Sequence, residues 1–210
     1  MLQITDFKKS YHGIPALEIP YLLIPKGIHW IKGSNGAGKT TLFRSIAGMI
    51  PFKGQILLED TLEVNKNPVE YRLRVNYGEA EPNYPEFLTA LDLIQFVGKA
   101  KKASEKQMFD LIEQLEIGSY VNNQLGTFSS GMLKKTSLVL SFLGNPSLIL
   151  LDEPLITIDQ KAIENMFRLV QTYQKQGVSF LLSSHQEFKV DEFTISNTYW
   201  IENRTVVLKN

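Results

Sequence analysis

The sequence contains no cysteine among its 210 residues. That absence excludes disulfides, thiol nucleophiles, zinc–thiolate sites and iron–sulfur clusters, and it is compatible with a reducing compartment. A long apolar run is also missing, because no stretch approaches the ~18 residues of a membrane span. The first ten residues, MLQITDFKKS, lack the basic and then apolar order of a signal peptide. We therefore expect a chain that is neither exported nor embedded in a membrane.

The chain also lacks an excess of charge of either sign. Its 22 Lys and Arg residues balance 22 Asp and Glu residues, so there is no overall electrostatic attraction to nucleic acid or to an anionic membrane. A composition of 43% hydrophobic and 21% charged residues is typical of a globular domain. A chain of 210 residues suits one compact α/β unit that buries its core without disulfides or a structural metal.

Apolar periodicity near the N-terminus predicts strands, a glycine-rich loop and a helix. Residues 2–7 alternate apolar and polar side chains like a half-buried strand, and residues 28–32 form a second strand that ends at Gly33. A helix is predicted over 40–49. Its apolar face consists of Leu42, Phe43, Ile46 and Met49.

Farther along, strand and helix patterns alternate around a helical block. Strands are predicted at 55–58 and 71–77, and a helical block runs from Thr89 to about Leu115, with capping-box spacings at Thr89/Asp92 and Ser104/Gln107. Then follow a strand at 147–151, a helix at 160–176, a strand at 178–184 and a strand pair around 202–203. This order predicts an α/β fold with a parallel sheet. The helical segment, about 84–145, is predicted to be a subdomain inserted in a single domain, 1–210.

The strongest chemical signal is the segment GSNGAGKTT, which fits G-x-x-x-x-G-K-[ST] between a strand and a helix. Its residues are Gly33, Ser34, Asn35, Gly36, Ala37, Gly38, Lys39, Thr40 and Thr41. The glycines let backbone N–H groups converge on phosphate, Lys39 supplies a positive charge to the β- and γ-phosphates, and Thr40 offers a hydroxyl to Mg²⁺. The alternative is an ordinary glycine-rich turn, but the flanking strand and helix favour a phosphate loop. The spacing G-x-x-G-x-G disfavours a dinucleotide fingerprint.

Two carboxylates, Asp152 and Glu153, follow the apolar strand pattern LILL. Because parallel strands end at the same edge of a sheet, we expect both side chains near the phosphate loop. Asp152 would then hold Mg²⁺ together with Thr40, and Glu153 would orient and deprotonate the water that attacks the γ-phosphate. On its own this pattern is also that of a strand ending in a solvated acidic loop.

With these motifs in place, the chain resembles the ATP-binding subunit of an ABC transporter, a nucleotide-binding domain of the ATP-binding-cassette type. The similarity runs from Tyr11 to His185. The segment FSSGM, 128–132, resembles the family's signature loop, LSGGQ in its commonest form, and Ser129 and Gly131 stand at matching positions. Asp159, in EPLITID, corresponds to the loop that crosses the family's dimer interface.

The resemblance implies a fold and a set of site residues. The fold would be a P-loop NTPase core with a mainly parallel sheet, an N-terminal antiparallel β region and an inserted helical subdomain. Glu153, His185 as the switch histidine, and Lys39 would be catalytic. Tyr11 would stack on adenine, with a surface tyrosine as the alternative. Ser129, Ser130 and Gly131 would contact the ATP held by a second chain, since the family sandwiches two ATPs in a dimer.

The chain departs from the family pattern after Tyr77, where Gly78-Glu79-Ala80-Glu81-Pro82 lacks the glutamine of the Q-loop. Ala80 stands at the expected glutamine. Either a flanking glutamate takes its role or Ala80 leaves the position empty, and Pro82, which restricts Glu81 to an extended conformation, favours Glu81. Just beyond it lie Tyr84, Pro85 and Phe87. They predict either a groove for a helix of a membrane subunit or a cluster packed into its own subdomain.

The resulting functional hypothesis is an ATPase subunit that binds Mg·ATP, forms a homodimer or a heterodimer with a similar ATPase, and drives a separate transmembrane subunit. Exporter type is favoured, because about 25 residues after His185 leave no room for the regulatory domain of some importers. We expect a cytoplasmic location at the inner face of the cell membrane and no nucleic-acid partner. A soluble ABC-type ATPase that acts on nucleic acid or ribosomes is the alternative. A small-molecule P-loop kinase would not explain FSSGM or His185.

Overall fold

The computed structural model describes residues 1–184 and 194–209, which form alternating strands and helices. In chain order these are β1 (Leu2–Tyr11), β2 (Ile14–Ile24), β3 (Ile28–Lys32), α1 (Lys39–Ile46), β4 (Lys53–Leu58), β5 (Leu62–Glu63), α2 (Pro68–Arg74), β6 (Val75–Gly78), α3 (Ala90–Ala100), α4 (Glu105–Gln114), a 3₁₀ turn (Leu125–Thr127), α5 (Ser130–Ser141), β7 (Leu148–Leu151), α6 (Gln160–Lys175), β8 (Ser179–Ser183), β9 (Asn197–Glu202) and β10 (Thr205–Lys209).

The first sheet is antiparallel and has the strand order β2-β1-β4-β5. His12 and Gly13 join β1 to β2 with φ angles of 50° and 81°. Positive φ at both central residues is the geometry of a tight two-residue hairpin turn. The expected N-terminal antiparallel region is therefore present.

The second sheet has the order β10-β9-β3-β8-β7-β6, and its strands are parallel except for β10. All four residues of β7 are buried. Leu148 and Leu150 pack into one core cluster with α1 and the antiparallel sheet, whereas Ile149 and Leu151 pack into a second cluster with α3 to α6. Side chains alternate between the faces of a strand, so this sheet is covered on both sides, as parallel sheets are. The predicted α/β fold with a parallel sheet is confirmed.

Helices α3, α4 and α5 lie between β6 and β7 in the chain, where the helical block was predicted. The capping box at Thr89 and Asp92 is complete, since each side chain bonds to the other residue's backbone N–H. Ser104 accepts from the Gln107 N–H at 3.1 Å, but the Gln107 amide donates to Gly144 O at 2.8 Å. Only half of the second predicted box forms, because the glutamine side chain links α4 to the end of α5. No helix within 1–184 or 194–209 is long and apolar enough to cross a membrane.

Two local predictions were wrong. Residues 71–77 were expected as a strand, yet α2 continues to Arg74 and the strand begins at Val75. Pro68, which suits the first turn of a helix, starts α2. Met49 was placed on the apolar face of the first helix, yet its side chain is 48% exposed. The helix ends at Ile46, so Met49 lies beyond its last turn.

Candidate functional site

A glycine-rich loop between β3 and α1 forms the floor of the candidate site. Gly38 precedes the first helical residue with φ of 110°, and a Cβ on it would meet the Leu17 side chain at 3.0 Å. A larger residue would be both strained and crowded there. The loop lines a cavity of about 230 Å³. The lining residues are Ser34, Asn35, Gly36, Gly38, Lys39, Thr40, Thr41 and Glu153.

The Lys39 side chain is buried and folds back over this loop. Its ammonium donates to Gly33 O at 2.9 Å and to Ser34 O at 3.3 Å, and it lies 3.9 Å from Glu153 Oε1. The N-terminus of α1 points its unsatisfied N–H groups at the same cavity. A lysine and a helix N-terminus in one cavity form a site for an anion such as phosphate.

Asp152 is fully buried at the end of β7, and three hydroxyl groups surround its carboxylate. Thr40 Oγ1 donates to Oδ2 at 2.6 Å, Tyr77 OH donates to Oδ2 at 3.2 Å, and Ser183 Oγ donates to Oδ1 at 2.5 Å. Burial and the Asp152 charge raise the pKa of Tyr77, so its hydroxyl stays protonated and donates. Thr40 and Asp152 therefore lie in direct contact, and their shared role as Mg²⁺ ligands stays a prediction.

These oxygen atoms fit a magnesium ion. Hydroxyl and carboxylate oxygens are the hard ligands that Mg²⁺ takes, usually one or two from the protein and the rest from phosphate and water. Within the described ranges, no group of three or more His, Cys, Asp or Glu side chains is arranged to hold a metal. If a magnesium ion binds here, Thr40 and Asp152 would supply protein ligands and the remaining positions would be left to phosphate and water.

Glu153 adopts an unusual backbone conformation, with φ of 45°. Its N–H donates to Ser183 O at 3.1 Å and to Ser183 Oγ at 3.0 Å, which anchors the residue to the end of β8. The side chain lines the cavity beside Lys39. Holding a non-glycine residue in the left-handed region is unfavourable, and such conformations cluster at functional sites.

Tyr11 lies at the end of β1, beside the glycine-rich loop. Its hydroxyl is 3.5 Å from Thr41 Oγ1, and the Lys9 ammonium lies 4.7 Å from the centre of its ring. The side chain is 45% exposed. The structure therefore places an accessible aromatic ring next to a residue that lines the cavity.

The FSSGM segment forms the start of α5, at a separate place on the chain. Ser129 caps the helix, because its Oγ accepts from the Met132 N–H at 3.2 Å. A Cβ on Gly131 would lie 2.6 Å from Thr157 O, so the two loops touch. Ser129, Ser130 and Gly131 are not among the residues that line the phosphate cavity in the described part of the chain.

Asp159 lies in the loop between β7 and α6, directly before the first residue of α6. Its Oδ1 accepts from the Ala162 N–H at 2.8 Å, which caps α6, and its Oδ2 lies 2.7 Å from the Lys135 ammonium. The hydrogen bond with Lys135 lowers the pKa of Asp159 most, and the bond from the Ala162 N–H lowers it further. The loop that carries Asp159 is thus tied to the helix that follows FSSGM.

Sequence reasoning missed Lys134. Its neighbourhood, Lys134-Lys135, reads as a solvated helix face, yet Lys134 is 1% exposed. Its ammonium donates to the carbonyl oxygens of Glu79, Ala80 and Asp152 at 2.5, 3.2 and 2.9 Å. Burial lowers the pKa of Lys134 to about 8, although three nearby carboxylates oppose the shift. Tyr77 and Ser183 were also missed, and only their places at the ends of strands neighbouring β7 signal them.

The segment that lacks a glutamine packs against this lysine through the carbonyls of Glu79 and Ala80. Glu79 is half-buried, whereas Glu81 is exposed. Burial raises the pKa of Glu79, against the lowering effects of Arg44 and Lys134. Of the two glutamates, Glu79 is therefore the one near enough to Asp152 and Lys134 to interact with them electrostatically, which favours it over the predicted Glu81, although neither glutamate lines the phosphate cavity in the described part of the chain. The predicted His185 lies outside the described residues.

Comparison with known proteins places this geometry in a family. The ABC transporter family model matches residues 21–156. The cytochrome c biogenesis ATP-binding export protein CcmA of Legionella pneumophila is 31% identical over 198 residues, covering 91% of this chain and 96% of CcmA. The ABC-type transporter ATP-binding protein EcsA of Bacillus subtilis is 30% identical over 88% of this chain and 77% of EcsA.

Solved structures agree on the fold. An ATP-binding subunit of an ABC transporter superposes with a TM-score of 0.89 at 24% identity, covering 100% of this chain and 90% of that one. A dimeric post-hydrolysis state of the ATP-binding cassette MJ0796, bound to ADP and Pi, superposes with a TM-score of 0.85 at 18% identity, covering 100% and 98%. This chain therefore belongs to the ABC transporter family, as an ATP-binding and ATP-hydrolysing nucleotide-binding domain of a transporter.

Proposed function

We propose that this chain binds Mg·ATP in the cavity between β3 and α1, dimerises on it, and drives export through a separate transmembrane subunit at the inner face of the cell membrane. The observation that carries the proposal is the 2.6 Å contact between Thr40 and Asp152. It brings the phosphate-loop hydroxyl and the carboxylate at the end of β7 together at one cavity that also contains Lys39 and Glu153.

The residues take distinct roles in this proposal. Thr40 and Asp152 would hold Mg²⁺, and bound Mg²⁺ neutralises charge on the β- and γ-phosphates. Lys39 would bind the same phosphates once nucleotide displaces its contacts to Gly33 O and Ser34 O. Glu153, anchored by Ser183, would orient the attacking water and accept its proton. Tyr11, beside Thr41, would stack on adenine.

Dimerisation follows from where the remaining predicted residues lie. Ser129, Ser130 and Gly131 belong to a different part of the chain from the cavity, so we infer that they close on the ATP of a second chain. Bound γ-phosphate would then favour the closed dimer and its loss would favour the open one. His185 is proposed as a further γ-phosphate contact. The whole chain, 1–210, would act as one domain, with the segment of about 84–145 as its helical subdomain.

The choice of export rests on the relatives. CcmA is named as an export protein and is matched over 96% of its length, whereas a ribose and galactose import ATP-binding protein of Geobacillus kaustophilus is matched over 41% of its length. Another relative matched over most of its length is the lantibiotic transport ATP-binding protein SrtF of Streptococcus pyogenes. It is 26% identical over 88% of this chain and 80% of SrtF.

Two measurements test the proposal. Purified chain should hydrolyse ATP with Mg²⁺ and lose that activity in EDTA, and Thr40→Val should lose it while Thr61→Val, a change in a surface turn, should not. Co-expression with candidate multi-span membrane proteins, beginning with any encoded beside this chain, should give a membrane complex that moves substrate outward in vesicles. Metal-independent hydrolysis would refute the site assignment, and inward movement would refute export.

A further inference from the structure

Lys134 is a buried cation with no aqueous surroundings, and backbone oxygens take up its hydrogen-bonding capacity. It lies in the first turns of α5 and is 1% exposed. An ammonium has three protons to donate. Three carbonyls accept them, those of Glu79 at 2.5 Å, Ala80 at 3.2 Å and Asp152 at 2.9 Å. One side chain thus connects α5, the segment after β6 and the end of β7.

Burying the ammonium of Lys134 is costly for the stability of the fold. Removing an ammonium from water carries a large penalty, and an apolar residue of similar volume at such a place is often neutral or stabilising. The charges near Lys134 that partly offset the penalty are the carboxylates of Asp152, Glu153 and Glu79. Two of these belong to the site and the third lies in the segment that lacks a glutamine. The Lys134 ammonium therefore lies close enough to the site to interact with its carboxylates.

The contacts of Asp152 show what Lys134 can transmit. The carboxylate of Asp152 is held by Thr40, Tyr77 and Ser183, and the carbonyl of the same residue is held by Lys134. Because the same ammonium also holds Glu79 O and Ala80 O, a shift of either carbonyl changes the geometry of its bond to Asp152.

We propose that Lys134 is a positioning residue that couples the segment 79–81 to Asp152, and through Asp152 to the nucleotide-bound metal. The inference rests on the proposed Mg·ATP site. It assigns to a lysine of α5 a mechanical link between the segment that lacks a glutamine and the metal carboxylate.

Lys101 provides a matched control. Its side chain is partly buried, and its ammonium also donates to backbone carbonyls, those of Arg72 and Val75. It lies just after α3 and does not line the phosphate cavity, although it lines a separate cavity that Glu79 also lines. Lys101→Met therefore removes an ammonium bonded to backbone carbonyls while leaving the three hydrogen bonds of Lys134 in place.

The experiment is hydrogen exchange on the intact chain bound to a non-hydrolysable ATP analogue, with and without Mg²⁺. In the parent and in Lys101→Met, adding Mg²⁺ should slow exchange of the amides at 79–81 by about fivefold or more. In Lys134→Met this metal-dependent slowing should fall below about twofold, with binding of the analogue in EDTA retained. A purely structural role would instead raise exchange equally with and without metal.

Each remaining outcome decides against one specific claim. If Mg²⁺ does not tighten binding of the analogue to the parent chain, the proposed metal site fails. If Mg²⁺ tightens binding but leaves 79–81 unaffected in the parent, or slows it equally in Lys134→Met, the link through Lys134 is overturned. Lys134→Gln, which keeps two amide donors, serves if the methionine variant does not fold, and it should give an intermediate response. The Mg²⁺-dependent slowing at 79–81 in the parent chain tests the proposal even if neither Lys134 variant folds.

Discussion

The ammonium of Lys39 and the carboxylate of Glu153 form an ion pair of 3.9 Å inside the cavity, although Lys39 begins α1 and Glu153 follows β7. Both side chains are largely buried, so solvent screens the pair little. The lysine that would bind phosphate is thus paired with the glutamate that would accept a proton.

The first prediction concerns Glu153→Gln. The amide keeps the shape of the side chain but accepts a proton poorly, so ATP binding should persist while hydrolysis slows by roughly 10²–10⁴-fold. Dimers should accumulate with Mg·ATP in size-exclusion chromatography. The exposed Glu113 on α4 supplies the control, Glu113→Gln, which should behave as the parent. A monomeric Glu153→Gln chain that hydrolyses ATP at the parent rate would contradict both the catalytic and the dimer assignments.

The second prediction concerns Phe87, whose side chain is 75% exposed. An exposed side chain contributes little to the core, so Phe87→Ala should change the free energy of unfolding by less than about 0.5 kcal/mol. Its binding to a co-expressed membrane subunit should fall by about tenfold or more, the scale of an aromatic anchor. Phe109→Ala, on the exposed face of α4, is the control. Pull-down and thermal melting together check this, and unchanged binding would reject Phe87 as a docking residue.

The third prediction concerns the segment without a glutamine. Half-buried Glu79 is the residue that we expect to assist the metal, so Glu79→Ala should raise the half-saturating Mg²⁺ concentration of ATP hydrolysis by about fivefold or more. Exposed Glu81 provides the comparison, and Glu81→Ala should stay within about twofold of the parent. The measurement is the ATPase rate against Mg²⁺ concentration. A rate increase in Ala80→Gln, with Glu79→Ala unchanged, would show that the position is empty.

The fourth prediction concerns pH and Lys101. Burial, helped by Arg72, lowers its pKa from 10.5 to about 8 in the folded chain. Between these values the unfolded chain binds more protons, so the free energy of unfolding should rise with pH there. Lys101→Met should show a smaller rise than the parent, because the buried Lys134, whose pKa is also lowered to about 8, still contributes its own part, whereas Lys102→Met, at an exposed neighbour, should keep the full rise. Melting temperatures from pH 8 to about 9.5 check this, and parallel curves for the parent and Lys101→Met would refute it.

The sequence was informative wherever the signal is local. The phosphate loop depends on glycine and lysine spacing within nine residues, and β3 was predicted with the bounds that the structure has, Ile28–Lys32. The same holds for Thr89 and Asp92, whose capping box involves only residues three apart. Such features need no knowledge of the tertiary structure.

Features that depend on distant residues were not predictable. Lys134 looks like part of a solvated helix face, and only its approach to carbonyls more than fifty residues away in sequence makes it buried. Tyr77 and Ser183 meet at Asp152 because β6, β7 and β8 are neighbours in the sheet. Helix α2 was missed for a related reason, since apolar residues such as Tyr71 suit a strand as well as a short buried helix.

The contact between Gly131 and the carbonyl of Thr157 bears on how mixed dimers should be built. A side chain at Gly131 would push against Thr157 of its own chain, where a Cβ has only 2.6 Å of room. In a heterodimer of a Gly131 variant with a parent chain, the substitution would therefore disturb the loop of Thr157 in its own chain as well as any contact of Gly131 with the other chain. Ser130, the first residue of α5, is a better position for a substitution meant to affect only the contact with the second chain.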